Sequence, residues 1–154
     1  MFATPPVRQI GLVIESCCLA ESQALAARIA ELVRPSDVIL LEGELGAGKS
    51  EFARAFLRAL VGEPHLDVPS PTFTLVQRYD TQRGPVYHFD LWRLDSSADL
   101  SEIGWDEASD GIVLVEWPDR LGERRPIDAL TVALQIIGPT RRRVTLSGWP
   151  GRIK

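Results

Sequence analysis

The chain of 154 residues has the length of one domain, and with 45% hydrophobic residues it can bury a proper core. A net charge of −4 speaks against a surface that coats nucleic acid, though it leaves room for a local basic patch. The two cysteines, Cys17 and Cys18, are adjacent, which excludes a disulfide framework and offers no metal-ligand spacing; they are expected to pack as small buried residues. Met1 to Pro6 lacks a basic start leading into an apolar run, and no apolar stretch approaches membrane-spanning length. The expectation is a cytoplasmic protein with no membrane segment.

In chain order, Val7 to Glu15 alternates weakly and predicts an edge strand. Ser22 is placed to cap a helix running to about Val33, with Leu25, Ile29, Leu32 and Val33 at helical spacing. Pro35-Ser36-Asp37 makes a turn. Val38 to Leu41 is a short apolar run of strand type. A Gly-rich segment follows, then a helix from Glu51 to Val61 with Phe52, Ala55, Phe56 and Ala59 on one face, stopped by Gly62.

Glu63 to Thr72 is a polar loop, and Pro69 and Pro71 hold its end extended. Thr74 to Tyr79 and Pro85 to Phe89 predict a hairpin turning through Asp80 to Gly84. Ser96 or Ser97 caps a short helix through Ile103, and Trp105 to Ala108 adds a turn. Ile112 to Val115 is uninterruptedly apolar, the mark of a strand buried on both faces, and ends at Glu116 before Pro118. Leu130 to Ile137 and Arg143 to Ser147 form a last hairpin. Residues 1–6 and 149–154 are expected to be loose termini. The order of elements predicts one α/β domain over 1–154: a mixed sheet with a parallel centre and antiparallel flanking strands, in a three-layer αβα arrangement.

The Gly-rich segment is Gly43-Glu44-Leu45-Gly46-Ala47-Gly48-Lys49-Ser50, which fits G-x-x-x-x-G-K-[ST]. A strand before it and a helix after it supply the setting this P-loop pattern requires. Glycines let successive backbone N–H groups point at a phosphate, and the helix N-terminus adds its dipole. Lys49 is placed to reach the β and γ phosphates, and Ser50 to ligate Mg²⁺. A hydrolysing P-loop also needs a carboxylate across the phosphates, at the C-terminal end of a neighbouring strand. Glu116 and Asp90 qualify. His88 lies on the strand face of Asp90. Ser70 and Thr72 fall where switch loops contact a γ-phosphate.

These residues match a known pattern. Gly43 to Ser50, Ser70-Pro71-Thr72-Phe73, His88-Phe89-Asp90-Leu91-Trp92-Arg93 and Val115-Glu116-Trp117-Pro118, in that order, resemble TsaE (YjeE). That family comprises small bacterial P-loop ATPases needed to make threonylcarbamoyladenosine in tRNA. The resemblance runs from about Ser22 to Leu146. It implies ATP and Mg²⁺ as cofactors, with Ser50 and Glu116 as metal ligands. It implies Asp90 as the acid near the γ-phosphate, also close to the metal, and Ser70 to Phe73 as a switch-like loop. Trp117 and Asp119 would lie near the nucleotide. One arginine of Arg141-Arg142-Arg143 would contact ATP, with Arg142 favoured. The resemblance further implies TsaB and TsaD as partners, tRNA met only indirectly, and a slow ATPase that is not the transferase. Three positions depart from the family pattern: Ser50 replaces Thr, Trp92 replaces Tyr and so lacks a hydroxyl, and Asp119 replaces Glu.

Two other readings share the P-loop. A small-molecule kinase needs an acceptor pocket and usually an Arg-rich lid, and the arginines at 124–125 and 141–143 come late in the chain. A GTPase should carry N-K-x-D, which this sequence lacks.

Overall fold

The computed structural model describes residues 12–153. The edge strand β1 spans Leu12–Ser16; the earlier part of the expected strand lies outside the described residues. Helix α1, Leu19–Leu32, is capped at Cys18 rather than at Ser22. The reason is local. Glu21, in the first turn, accepts the Cys17 N–H at 3.3 Å, satisfying a backbone donor just ahead of the N-cap, and the helix starts earlier. Ser22 instead shares a 2.9 Å hydrogen bond with Ser16 Oγ.

Strand β2 (Val38–Glu42) leads through the Gly-rich loop into α2 (Lys49–Val61), which ends on Gly62 at φ 83°. Strands β3 (Val76–Thr81) and β4 (Gly84–Asp90) form the predicted hairpin with a tighter turn than expected. Thr81 Oγ1 closes it by donating to the Gly84 carbonyl at 2.7 Å and accepting the Arg83 N–H at 3.1 Å. Strand β5 is Ile112–Glu116, with every residue buried. Strands β6 (Leu130–Ile136) and β7 (Arg142–Ser147) make the last hairpin.

The seven strands run in the order β1-β7-β6-β2-β5-β4-β3. Strand β2 pairs in parallel with β5 and β6, and β5 in parallel with β4. Strands β3, β7 and β1 pair antiparallel outside them. The expected parallel centre with antiparallel flanks is therefore present.

The layers differ from the expected αβα sandwich in one respect. Both α-helices pack on the same face, where Ile29, Phe52, Phe56 and Leu57 cover Ile39, Leu41, Ile112 and Leu114. The opposite face, with Leu40, Phe89, Val113 and Val115, is covered by Leu100, Ala108 and Leu121 from short 3₁₀ helices. These span Ser97–Ile103, Glu107–Asp110 and Pro118–Arg124. Ser96 caps the first, accepting the Ala98 N–H at 3.2 Å, as its sequence implies. The last was not expected, because Pro118 reads as a stop when it in fact opens a new helix at the first position.

Two further expectations fail. Cys17 and Cys18 are exposed, not buried, because they sit on the outer corner between β1 and α1. Glu21 next to Cys17 raises its thiol pKa through a hydrogen bond and its charge. The C-terminal segment 149–153 is not loose: Trp149 is buried, and Arg152 bridges Asp37 at 2.7 Å and donates to the Leu32 carbonyl at 2.7 Å.

Candidate functional site

Alternation along the central strands decides what faces what. In β5, Ile112 and Leu114 face the α-helices, so Glu116 does too. In β4, Val86 shares that face, and therefore so do His88 and Asp90. The register sets Asp90 beside Glu116, and Glu116 beside Leu41 of β2. Both acids thus end up at the mouth of the Gly-rich loop, on the side where α2 begins.

The loop turns on left-handed glycines. Gly46 has φ 84° and Gly48, at the N-cap of α2, has φ 106°. Gly43 is also constrained by space, since a Cβ there would stand 2.7 Å from the Leu134 carbonyl oxygen of β6. From β7, Arg142 braces the loop, its Nε donating to the Ala47 carbonyl at 3.1 Å. Arg141 and Arg143 instead each pair with Glu15 on β1 at 3.2 Å. Of the three arginines only Arg142 reaches the loop.

Lys49 is buried, and its ammonium donates to the carbonyls of Gly43 and Glu44. It lies 3.9 Å from the centre of the Trp117 ring. Burial lowers its pKa, and the charges of Glu116, Asp90, Asp119 and Glu44 oppose that shift. Ser50 Oγ donates to Glu116 Oε1 at 3.1 Å. The other carboxylate oxygen of Glu116 pairs with His88 Nε2 at 2.7 Å, with both side chains buried.

Asp90 is buried as well. Its Oδ2 accepts the Thr72 hydroxyl at 3.0 Å and its Oδ1 the Trp92 N–H at 3.0 Å. Burial raises its pKa; the Trp92 N–H pulls it back down, the Glu116 charge raises it further, and Thr72 and His88 lower it. Ser70 Oγ lies 2.8 Å from Thr72 Oγ1, so the segment 70–72 is tied to Asp90. The Asp90 N–H also bonds to the Leu75 carbonyl at 3.0 Å.

Around these groups lies a cavity of about 380 Å³, lined by the loop, Lys49, Ser50, Ser70, Thr72, Asp90, Glu116 and Trp117, with Leu45 and Trp92 at its rim. Trp92 packs against Trp117 with ring centres 4.4 Å apart. Trp117 holds a left-handed backbone, φ 60° and ψ 55°, which turns its ring over Lys49. Asp119 is exposed and does not line the cavity. Glu44 meets Lys49 only through its backbone carbonyl.

A second cavity, about 350 Å³ and more apolar, lies on the other side of the loop. Cys18, Leu19, Leu134, Pro139, Thr140 and Arg142 line it with Gly46 to Gly48. Nothing in the sequence marks this group, because its members come from β6, β7 and the start of α1 and are brought together only by the sheet order.

A family model described as "Threonylcarbamoyl adenosine biosynthesis protein TsaE" matches residues 18–144. The chain belongs to the TsaE family. The match spans the P-loop, Asp90, Glu116 and Arg142. The tRNA threonylcarbamoyladenosine biosynthesis protein TsaE of Rickettsia felis is 36% identical over 123 residues, 79% of this chain and 71% of that protein. TsaE of Bacillus subtilis is 35% identical over 129 residues, 82% of this chain and 79% of that protein. TsaE of Aquifex aeolicus is 38% identical over 126 residues, 82% and 88% of the two chains. The crystal structure of YdiB from Bacillus subtilis superposes with a TM-score of 0.70 at 30% identity, covering 89% of this chain and 84% of that one. Among the described residues, no helix of this TsaE member is long and apolar enough to cross a membrane.

Proposed function

We propose that this TsaE-family chain is a P-loop NTPase that binds ATP with Mg²⁺ in the 380 Å³ cavity, hydrolyses it slowly and serves tRNA threonylcarbamoyladenosine synthesis. One observation carries the reading. Lys49, Ser50, Asp90 and Glu116 come from three different elements and converge on one cavity at the C-terminal ends of parallel strands.

The donor set suits the metal. Ser50 Oγ and Glu116 Oε1 stand 3.1 Å apart beside the P-loop, and hard oxygen donors are what Mg²⁺ takes alongside phosphate oxygens. Ser50 and Glu116 would hold it, with Asp90 nearby. Bound there, Mg²⁺ neutralises phosphate charge and acts as a Lewis acid. The protein's own residues do the rest. Backbone N–H groups of the loop and the N-terminus of α2 receive the phosphates. Lys49 exchanges its carbonyl partners for phosphate oxygens. His88 holds Glu116 in place. Asp90, with its pKa raised by burial, is a better base than an exposed carboxylate and orients the attacking water. The apolar cavity behind the loop suits the flat face of the base, with Arg142 beside it.

Thr72 links Asp90 to the segment 70–75, so this loop is the route by which the state of the phosphates reaches the surface. The partners that read it are TsaB and TsaD, and the chain is not itself the transferase. A kinase lid is disfavoured by where the late arginines sit: Arg124 pairs with Asp106, Arg125 with Glu42, and Arg141 and Arg143 with Glu15. The test is ATP turnover with and without the two partners, with tRNA modification followed by mass spectrometry. A weak basal rate that rises with the partners is expected. A rate indifferent to them, or turnover that yields a phosphorylated small molecule, refutes the proposal.

A further inference from the structure

The adjacent cysteines, which carry no metal-binding spacing in sequence, meet a third ligand in space. Cys17 Sγ, Cys18 Sγ and a Glu21 carboxylate oxygen lie within 4.8 Å of one another. Cys17 Sγ is hydrogen-bonded to Glu21 Oε1 at 2.6 Å. Both thiols are exposed, so an ion has an open path to them. We propose that Cys17, Cys18 and Glu21 form a site for one Zn²⁺ ion, with water in the fourth position.

The geometry needs little change. Tetrahedral zinc with Zn–S bonds of about 2.3 Å and Zn–O bonds of about 2.1 Å requires ligands roughly 3.5–4 Å apart. The three ligand atoms already lie within 4.8 Å of one another, close to that spacing. The backbone already presents the ligands: Cys18 is extended at φ −156° and ψ 167°, and Glu21 lies one turn into α1 with its side chain pointing back toward the N-terminus. The two Glu21 oxygens divide the work. Oε2 keeps the Cys17 N–H at 3.3 Å, while Oε1 exchanges the thiol hydrogen for the metal.

The chemistry favours a thiophilic ion over Mg²⁺, since thiolates select zinc-like metals. Binding releases two thiol protons to solvent, and the loaded site carries one net negative charge. That charge sits at the N-terminus of α1, where the dipole favours it. Cys18 also lines the apolar cavity behind the P-loop, so an ion here stands at the wall of that cavity. The site is separate from the Ser50–Glu116 pair and uses none of its residues.

Co²⁺ added to the metal-free full-length protein is the probe, because thiolate coordination gives a near-ultraviolet charge-transfer band that oxygen ligands do not. The expected result is a band saturating at one Co²⁺ per chain and bleached by Zn²⁺. Cys17→Ser and Cys18→Ser should abolish it, and Glu21→Gln should weaken the affinity at least about tenfold. Cys17→Ser should leave ATP turnover unchanged. No band in the wild type, a band surviving in Cys17→Ser, or saturation at one ion per two chains overturns the proposal. A second reading needs no variant: stoichiometric Zn²⁺ should protect both wild-type thiols from alkylation, and undiminished labelling also overturns it.

Discussion

Both oxygens of Glu116 are engaged, one by the Ser50 hydroxyl and one by His88. Of these two bonds, the one to Ser50 is the bond a metal ion would bridge. Glu116→Ala should therefore raise the Mg²⁺ concentration for half-maximal ATP turnover by at least about tenfold, the scale seen when metal sites lose supporting groups; superimposable Mg²⁺ titrations would remove Glu116 from the ligand set. Asp90 makes a different prediction, about pH. Its folded pKa is raised above its unfolded value, chiefly by burial. Below the unfolded pKa both states hold the proton and Asp90 costs nothing. As pH climbs through the folded pKa, the native state must ionise a desolvated acid, and stability falls. Asp90→Asn should thus stabilise the fold at neutral pH while abolishing turnover, and the stabilisation should fade in acid. Urea midpoints for the two proteins at both pH values check this. A variant less stable at neutral pH would show that the Thr72 and Trp92 hydrogen bonds outweigh the burial.

At the scale of elements, the P-loop is held from two sides, and its glycines are not equivalent. Gly46→Ala meets no atom within 4 Å, so its cost is the left-handed backbone alone, about 1–2 kcal/mol. Gly43→Ala adds a clash with the rigid Leu134 carbonyl of β6, which cannot rotate away. It should cost about 3 kcal/mol or more and loosen the junction between β2 and β6. Chemical denaturation of the two variants measures the difference; equal losses would mean that the loop relaxes away from β6. The β5 run was legible because it is uninterruptedly apolar, and the two α-helices because each carries one clear hydrophobic period. The 3₁₀ helix at Pro118–Arg124 was not, since three-residue turns have no stripe of their own and a proline that ends a strand can equally start a helix.

For the whole molecule, the C-terminal segment is a strap rather than a tail. Arg152 ties it to Asp37, at the turn between α1 and β2, and stacks 4.0 Å from the Trp149 ring. The Arg152 and Asp37 side chains are only 19% and 16% exposed, so this pair is shielded from water more than the other Arg–carboxylate pairs among the described residues. Arg152→Ala leaves Asp37 with the Arg34 N–H at 2.7 Å but no charged partner, and should destabilise the protein by about 2–3 kcal/mol, read as a lower thermal midpoint. A change within about 0.5 kcal/mol, typical of surface sites, would return the segment to the status of a loose end.

Local chemistry alone determined the Gly-rich loop, its flanking strand and helix, the buried β5 run and the acids that end two strands. Each of these is written in neighbouring residues, as a glycine pattern, a hydrophobic period, or an apolar run that stops at an acid. Tertiary structure decided whatever depends on residues far apart in the chain meeting. It brought Arg142, and not its two neighbours, to the Gly-rich loop, because strand alternation and the β1–β7 pairing turn Arg141 and Arg143 toward Glu15. It set His88 against Glu116 through the β4–β5 register. It buried Trp149 in the C-terminal segment, and it exposed the cysteines against their usual preference, because position at a corner of the fold outweighs the polarity of a single side chain.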